Sequence, residues 1–298
     1  MNRSGTFKRL VVYVALCLSA GHPALAQIIP TSPTTLWTTI LYPTNAPTVP
    51  DPAGDQQTGS KEGDIVGNGL TPSLYTQFYN GGTPSLTDGQ IAFRFRLAEE
   101  KNPPGYSGFA FVGLDANNDG RLDLFVGVNN SGSTAELGIY GPGTGANISP
   151  NTTSLINPAM TTYAETTANY SWTLVNATID PVTLTFDVDN GGVTDRFLTW
   201  VMPFAGLVNA FTTLGILGIN ENSVVTYVAA TATQANSLNQ DINGVNGGVN
   251  STTTWTALGG LSQPLTLQGT ATPEPTAAML LALGLGVIGL RWHARKGR

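Results

Sequence analysis

Asp115, Asn117, Asp119 and Asp123 stand at positions 1, 3, 5 and 9 of one short stretch, Asp115-Ala116-Asn117-Asn118-Asp119-Gly120-Arg121-Leu122-Asp123. Side chains at alternate positions of a tight loop can converge on one point. Gly120 at position 6 permits the sharp turn, and the Arg121 backbone carbonyl at position 7 adds an oxygen. Such a set suits Ca²⁺, a hard cation that takes about six to eight oxygens at ~2.3–2.6 Å. Three carboxylates this close repel one another unless a cation lies among them. The spacing therefore predicts a calcium loop that braces the chain on either side of it. Position 12, where a helix–loop–helix calcium hand carries a bidentate Glu, is Val126. Without that ligand the expected affinity is modest, on the order of 10⁻⁴–10⁻³ M.

The loop resembles the strand-flanked calcium loops of integrin-type and thrombospondin-type repeats. A weaker second copy of the frame lies 72 residues further on, at Asp187, Asp189, Gly192 and Asp195, with Gly191 at position 5. Asp241-Ile242-Asn243-Gly244 reads as a turn.

Other chemistry is excluded by what is missing. The only histidines are His22 and His293 and the only cysteine is Cys17, so residues 27–272 contain neither type. That rules out Ser-His-Asp and Cys-His catalysis, His- or Cys-ligated metals and disulfides in that stretch. Carboxylate pairs, which can hydrolyse glycosides without histidine, remain open on residue type. No spacing brings two of Asp64, Asp88, Glu99, Glu100, Glu136, Glu165 and Glu221 together, so no enzyme is expected. The stretch holds six basic and 18 acidic residues. Such a surface repels nucleic acid and anionic lipid and attracts cations.

The elements that must position the loops read as strands. Charged residues are 11% of the chain, while Gly numbers 35 and Pro 19. Ile91, Phe93, Phe95 and Leu97 alternate with Ala92, Arg94 and Arg96. The same period recurs at Leu122, Leu124, Val126 and Val128, and at Val182, Leu184, Phe186 and Val188. Further strands are expected near 74–79, 107–114, 134–140, 170–175, 196–202, 214–219 and 223–231. Gly-, Asn- and Pro-rich turns separate them, and no stretch before residue 273 reads as a helix. The fold class expected is all-β, a β-sandwich or jelly-roll-like ectodomain over 51–243. A Pro/Thr-rich entry segment, 27–50, precedes it, and a Gly/Asn/Thr stalk, 244–272, follows.

The two ends read as addresses. Residues 1–26 have a basic start (Arg3, Lys8, Arg9), an apolar stretch and the close Ala24-Leu25-Ala26, which predicts a secretory signal peptide cut between Ala26 and Gln27. At the other end, Pro273-Glu274-Pro275 is followed by an apolar run over 276–290 and a basic tail, Arg291 to Arg298. The run predicts a short transmembrane helix with its basic side in the cytoplasm. This order resembles the PEP-CTERM sorting signal of Gram-negative bacteria, over 273–298. The resemblance implies recognition of Pro273, Glu274 and Pro275 by an exosortase after signal peptidase has acted. It also implies export across the inner membrane, C-terminal anchoring and then transfer to the cell surface or extracellular matrix.

The function expected is a non-catalytic surface or exopolysaccharide-matrix protein with a calcium-stabilised β-domain. The alternative is a carbohydrate-binding module that stacks extracellular polysaccharide on exposed aromatics such as Tyr75, Tyr79, Tyr106 or Trp172. A carboxylate-dependent glycoside hydrolase is the third reading.

Overall fold

A computed structural model describes residues 27–42, 51–57, 61–100, 105–145, 147–234, 240–245 and 253–269. The expected signal peptide with Ala26, the sorting residues Pro273, Glu274 and Pro275, and the C-terminal helix lie outside the described residues. Among the described residues no helix is long and apolar enough to cross a membrane.

The elements are β1 (Thr38–Thr39), β2 (Leu74–Tyr79), β3 (Gln90–Leu97), β4 (Phe109–Asp115), β5 (Leu124–Asn129), β6 (Glu136–Tyr140), β7 (Thr161–Ala164), β8 (Tyr170–Leu174), β9 (Arg196–Pro203), α1 (Phe204–Thr213), β10 (Val224–Ala232), β11 (Asp241–Ile242), α2 (Trp255–Leu258) and β12 (Leu265–Thr266). They form two sheets. The first has the order β1-β2-β3-β9-β8, and the second β11-β10-β4-β5-β6-β7 with β12 also on β10. The strand pairs in both are antiparallel. Phe93, Phe95 and Trp200 of the first sheet share one core with Val112, Leu114, Val126 and Tyr227 of the second. The architecture is all-β and sandwich-like, as the alternation predicts.

Both sheets are also covered on their outer faces, which corrects three expectations. The entry segment packs into the fold: Ile28 and Trp37 join Tyr75, Ala92, Phe197 and Val201 on the back of the first sheet. For this reason Arg94 and Arg96, expected on a polar face, are both 0% exposed. The Arg94 guanidinium lies 4.1 Å from the Trp37 ring and donates to the Pro30 and Ser32 carbonyls. The described part of the expected stalk likewise belongs to the domain. Trp255 is fully buried against Phe111, Phe125 and Tyr140 on the back of the second sheet, and β12 pairs with β10.

Three local readings also change. Residues 182–188 form no strand; Val182 and Leu184 are 67% and 59% exposed. Side chains take the backbone groups that a ladder would use. Asp180 accepts from the Thr183 N–H, Asp195 accepts from the Val188 N–H, and the Thr185 carbonyl accepts from Arg96. Residues 214–219 turn through left-handed Gly215 and Gly218 instead of extending. Just before them, and against the expectation of no helix before residue 273, α1 forms and buries Phe204, Leu207, Ala210 and Phe211, a helical spacing that ends at Gly215; α2 is a second, shorter helix.

Candidate functional site

Loop 115–123 joins β4 to β5, whose register pairs Leu114 with Leu124. Its backbone turns through left-handed Asn118 (φ 57°) and Gly120 (φ 82°). Asp115 Oδ1 accepts from the Asp119 N–H at 3.2 Å, and its Oδ2 from the Gly120 N–H at 2.9 Å. Asn117 Oδ1 accepts a second contact from the Asp119 N–H at 2.9 Å, and Asp119 Oδ1 accepts from the Arg121 N–H. Asp123 Oδ2 closes the loop by accepting from the Ala116 N–H at 2.9 Å. Asp115 is buried, Asp123 partly buried, and Asp119 exposed. Burial holds the carboxyls of Asp115 and Asp123 above their ordinary range.

Loop 187–195 repeats this framework almost bond for bond. Asn190 (φ 56°) and Gly192 (φ 81°) take the left-handed positions. Asp187 accepts from the Gly191 and Gly192 N–H groups at 3.0 and 2.9 Å. Asp189 accepts from the Gly191 N–H at 3.1 Å, and Asp195 from the Val188 N–H. The closing backbone bond is also shared: the N–H of Asp123 donates to Leu114, and that of Asp195 to Phe186.

The electrostatics of the two loops differ. Arg96 is fully buried between Asp180 and Asp195, donating to Asp195 at 3.0 Å. Burial still pushes the Asp195 carboxyl up to about 6. Lys61 lies 3.8 Å from Asp189. The 187–195 loop therefore carries two cationic partners, whereas among the described residues no ion pair reaches Asp115, Asp119 or Asp123. Convergence also differs. Asp187, Asp189 and Asp195 bring one oxygen each within 4.8 Å of one another; Asp115, Asp119 and Asp123 do not form such a group, and Asp55, Asp64 and Asp241 do. Sequence spacing ranks the two loops by ligand count and misses the third group, whose members come from three separate segments.

The other candidates spread out. Tyr75 and Tyr106 are 3% and 5% exposed and belong to the interior, so they offer no stacking face. Tyr79 packs against the buried layer behind the first sheet. Trp172 lines a surface groove of ≈ 550 Å³ with Thr31, Glu100, Tyr170 and Arg196. There its indole N–H donates to Glu100 at 2.9 Å, and Glu100 pairs with Arg196 at 2.5 Å. Glu99 pairs with Lys61 at 3.6 Å.

Residues 271–296 match the PEP-CTERM protein-sorting motif. The chain thus carries that motif, which implies export, membrane-associated sorting and processing by an exosortase. No curated protein and no solved structure matches the chain.

Proposed function

We propose that this chain is a non-catalytic surface or exopolysaccharide-matrix protein, sorted by an exosortase, with a β-sandwich braced by Ca²⁺ at the 115–123 loop. Asp115, Asn117, Asp119, the Arg121 carbonyl and Asp123 supply the oxygens. The observation that carries the reading is the contrast between two loops of one framework. The 187–195 loop has Arg96 and Lys61 beside its carboxylates, and the 115–123 loop has no such partner among the described residues. A solvated divalent cation supplies the missing charge. The loop's neighbours fit a brace, because it joins adjacent strands and Gly120 lies against Thr256 of α2.

Thermal unfolding of the protein with Asp119→Ala tests the calcium half of the reading. The substitution lowers the melting temperature in millimolar calcium and leaves it nearly unchanged in EDTA; an equal loss in both buffers defeats it. Replacing Pro273, Glu274 and Pro275 by alanine in an exosortase-bearing host tests the sorting half. The expected result is retention in the inner-membrane fraction, and unchanged surface delivery defeats it.

One observation favours the alternative, a carbohydrate-binding module: the groove that holds Trp172 and Tyr170. A polysaccharide array probed with and without calcium decides it. Binding lost on Trp172→Ala establishes the module, and a blank array removes it.

A further inference from the structure

Four aspartates from three segments of the chain meet where the edge of the second sheet abuts the end of β3. Asp241 lies in β11, the edge strand; its Oδ2 accepts from the Ile65 N–H at 2.5 Å and its Oδ1 from the Ile242 N–H at 2.7 Å. Asp64 precedes Ile65, which bridges to Leu97, and its Oδ2 accepts from the Gly54 N–H at 2.8 Å. Asp51 Oδ1 accepts from the Gly244 N–H at 2.6 Å, next to β11. Asp55, Asp64 and Asp241 bring one oxygen each within 4.8 Å of one another. Asp51 feels the charge of all three.

Burial makes this group unlike a solvated acidic patch. Asp51, Asp64 and Asp241 are 1%, 0% and 4% exposed. Among the described residues no ion pair reaches any of these three. A buried carboxylate without a counter-charge or hydrogen bonds is strongly disfavoured. Yet Asp51 Oδ2 and Asp64 Oδ1 are buried with no hydrogen-bond partner at all. In each, only the other oxygen is held by a backbone N–H. Burial and mutual repulsion hold Asp51 and Asp241 well above the ordinary carboxylate range, and burial pushes Asp64 up to about 7.

We propose that Asp55, Asp64 and Asp241, with Asp51 alongside, bind one Ca²⁺ that pins the 51–57 segment and β11 to the end of β3. The donors are all hard oxygens, which select calcium or magnesium over softer metals. Carboxylates arriving on three separate segments suit the irregular, high coordination of calcium better than the strict octahedron of magnesium. The site is independent of the 115–123 loop, since the two share no residue.

The test counts bound calcium on the full chain, purified in mild detergent and washed free of loose metal. The parent protein carries Asp119→Ala and Asp187→Ala, which disable both nine-residue loops. It is expected to retain one calcium per chain, and none overturns the proposal. Adding Asp64→Asn keeps the size of that side chain and its bond from the Gly54 N–H, whereas Asp241, whose two oxygens both accept from backbone N–H groups, is left unchanged. The expected result is loss of that calcium, together with a higher melting temperature than the parent in EDTA, because the buried repulsion is relieved. Carboxylates that act only as hydrogen-bond acceptors predict the opposite, an unchanged calcium count and a lower melting temperature in both buffers. If this variant does not fold, the parent's count alone decides. Magnesium retained in place of calcium in a buffer holding both also overturns the assignment.

Discussion

Loops 115–123 and 187–195 share their turn residues, their backbone dihedrals and most of their hydrogen bonds, yet they are neutralised differently. In the second loop, Arg96 and Lys61 stand beside the carboxylates. In the first, the loop backbone alone contacts them among the described residues. The comparison separates two things that one aspartate pattern encodes. The Asp side chains at positions 1 and 9 accept from N–H groups of the turn, and the Gly at position 6 takes its left-handed conformation. Whether the turn needs an ion depends on which charges the surrounding fold supplies.

The largest expected effect comes from removing the protein's own cation. Arg96→Met leaves Asp180 and Asp195 buried without their cationic partner, which costs about 3–5 kcal/mol. Chemical denaturation in EDTA and in millimolar calcium measures it. The loss is expected to be smaller in calcium, because the 187–195 framework then resembles the 115–123 loop and can take an ion. An identical loss in both buffers would show that the shared framework is not by itself competent for calcium.

Asp119→Ala comes next. At ten- to a hundredfold saturation of a loop of modest affinity, bound calcium contributes about 1.4–2.7 kcal/mol. The variant should lose that amount in calcium and little in EDTA. A pH series sharpens the result. Burial holds Asp115 and Asp123 protonated to a higher pH than the unfolded value of 3.8. Without an ion, the folded state therefore binds more protons than the unfolded state, and their contribution to stability falls as pH rises above about 4. Calcium stabilises the charged form and should flatten that fall. Parallel profiles with and without calcium would count against the loop as the binding site.

The strand order and the loop framework differ in how far local sequence reveals them. Alternation at Ile91–Leu97 and Val224–Ala232 is enough, because each of these strands has a neighbour on either side and a core to face. The same alternation at Val182–Val188 fails, because Asp180, Asp195 and Arg96 take its backbone groups from outside the local pattern. The burial of Arg94 and Arg96 depends on residues 28–37 folding back across the first sheet, which the spacing of β3 itself does not reveal. The 115–123 loop framework is legible since its aspartates are close together in sequence. The counter-charges that distinguish it from 187–195 come from Lys61 and Arg96, far away in the chain. Asp51, Asp55, Asp64 and Asp241 are invisible for the same reason. Helix α1 is missed by a reading tuned to alternation, although Pro203 precedes it and Phe204, Leu207 and Phe211 follow a helical period.

Equal frameworks predict equal strain. Gly120 and Gly192 sit at φ of 82° and 81°, and a side chain there costs about 1–2 kcal/mol. Neither position crowds a side chain: nothing lies within 4 Å of a Cβ at Gly192, and Thr256 Oγ1 is 3.5 Å from one at Gly120. Gly120→Ala and Gly192→Ala should therefore destabilise the protein by similar amounts in EDTA. In calcium, only Gly120→Ala should also weaken the response to the ion. Equal calcium dependence in the two variants would mean that both loops hold one.

The smallest effect is the most discriminating. Gly191 is the position at which 187–195 lacks the carboxylate that Asp119 gives its counterpart. Its backbone is not left-handed, so Gly191→Asp introduces no φ strain. A Cβ there would meet Asp189 Oδ2 at 2.8 Å and Lys61 Nζ at 3.0 Å, both far ends of flexible side chains that can move aside. The new carboxylate can pair with Lys61, so the stability change should stay within about 0.5 kcal/mol in either buffer. No calcium dependence should appear while Arg96 remains, because the loop's buried carboxylate is already neutralised. If Gly191→Asp alone makes the melting temperature respond to calcium, the number of ligands separates the loops. If the response appears only when Arg96→Met is added, the charge that the fold supplies separates them.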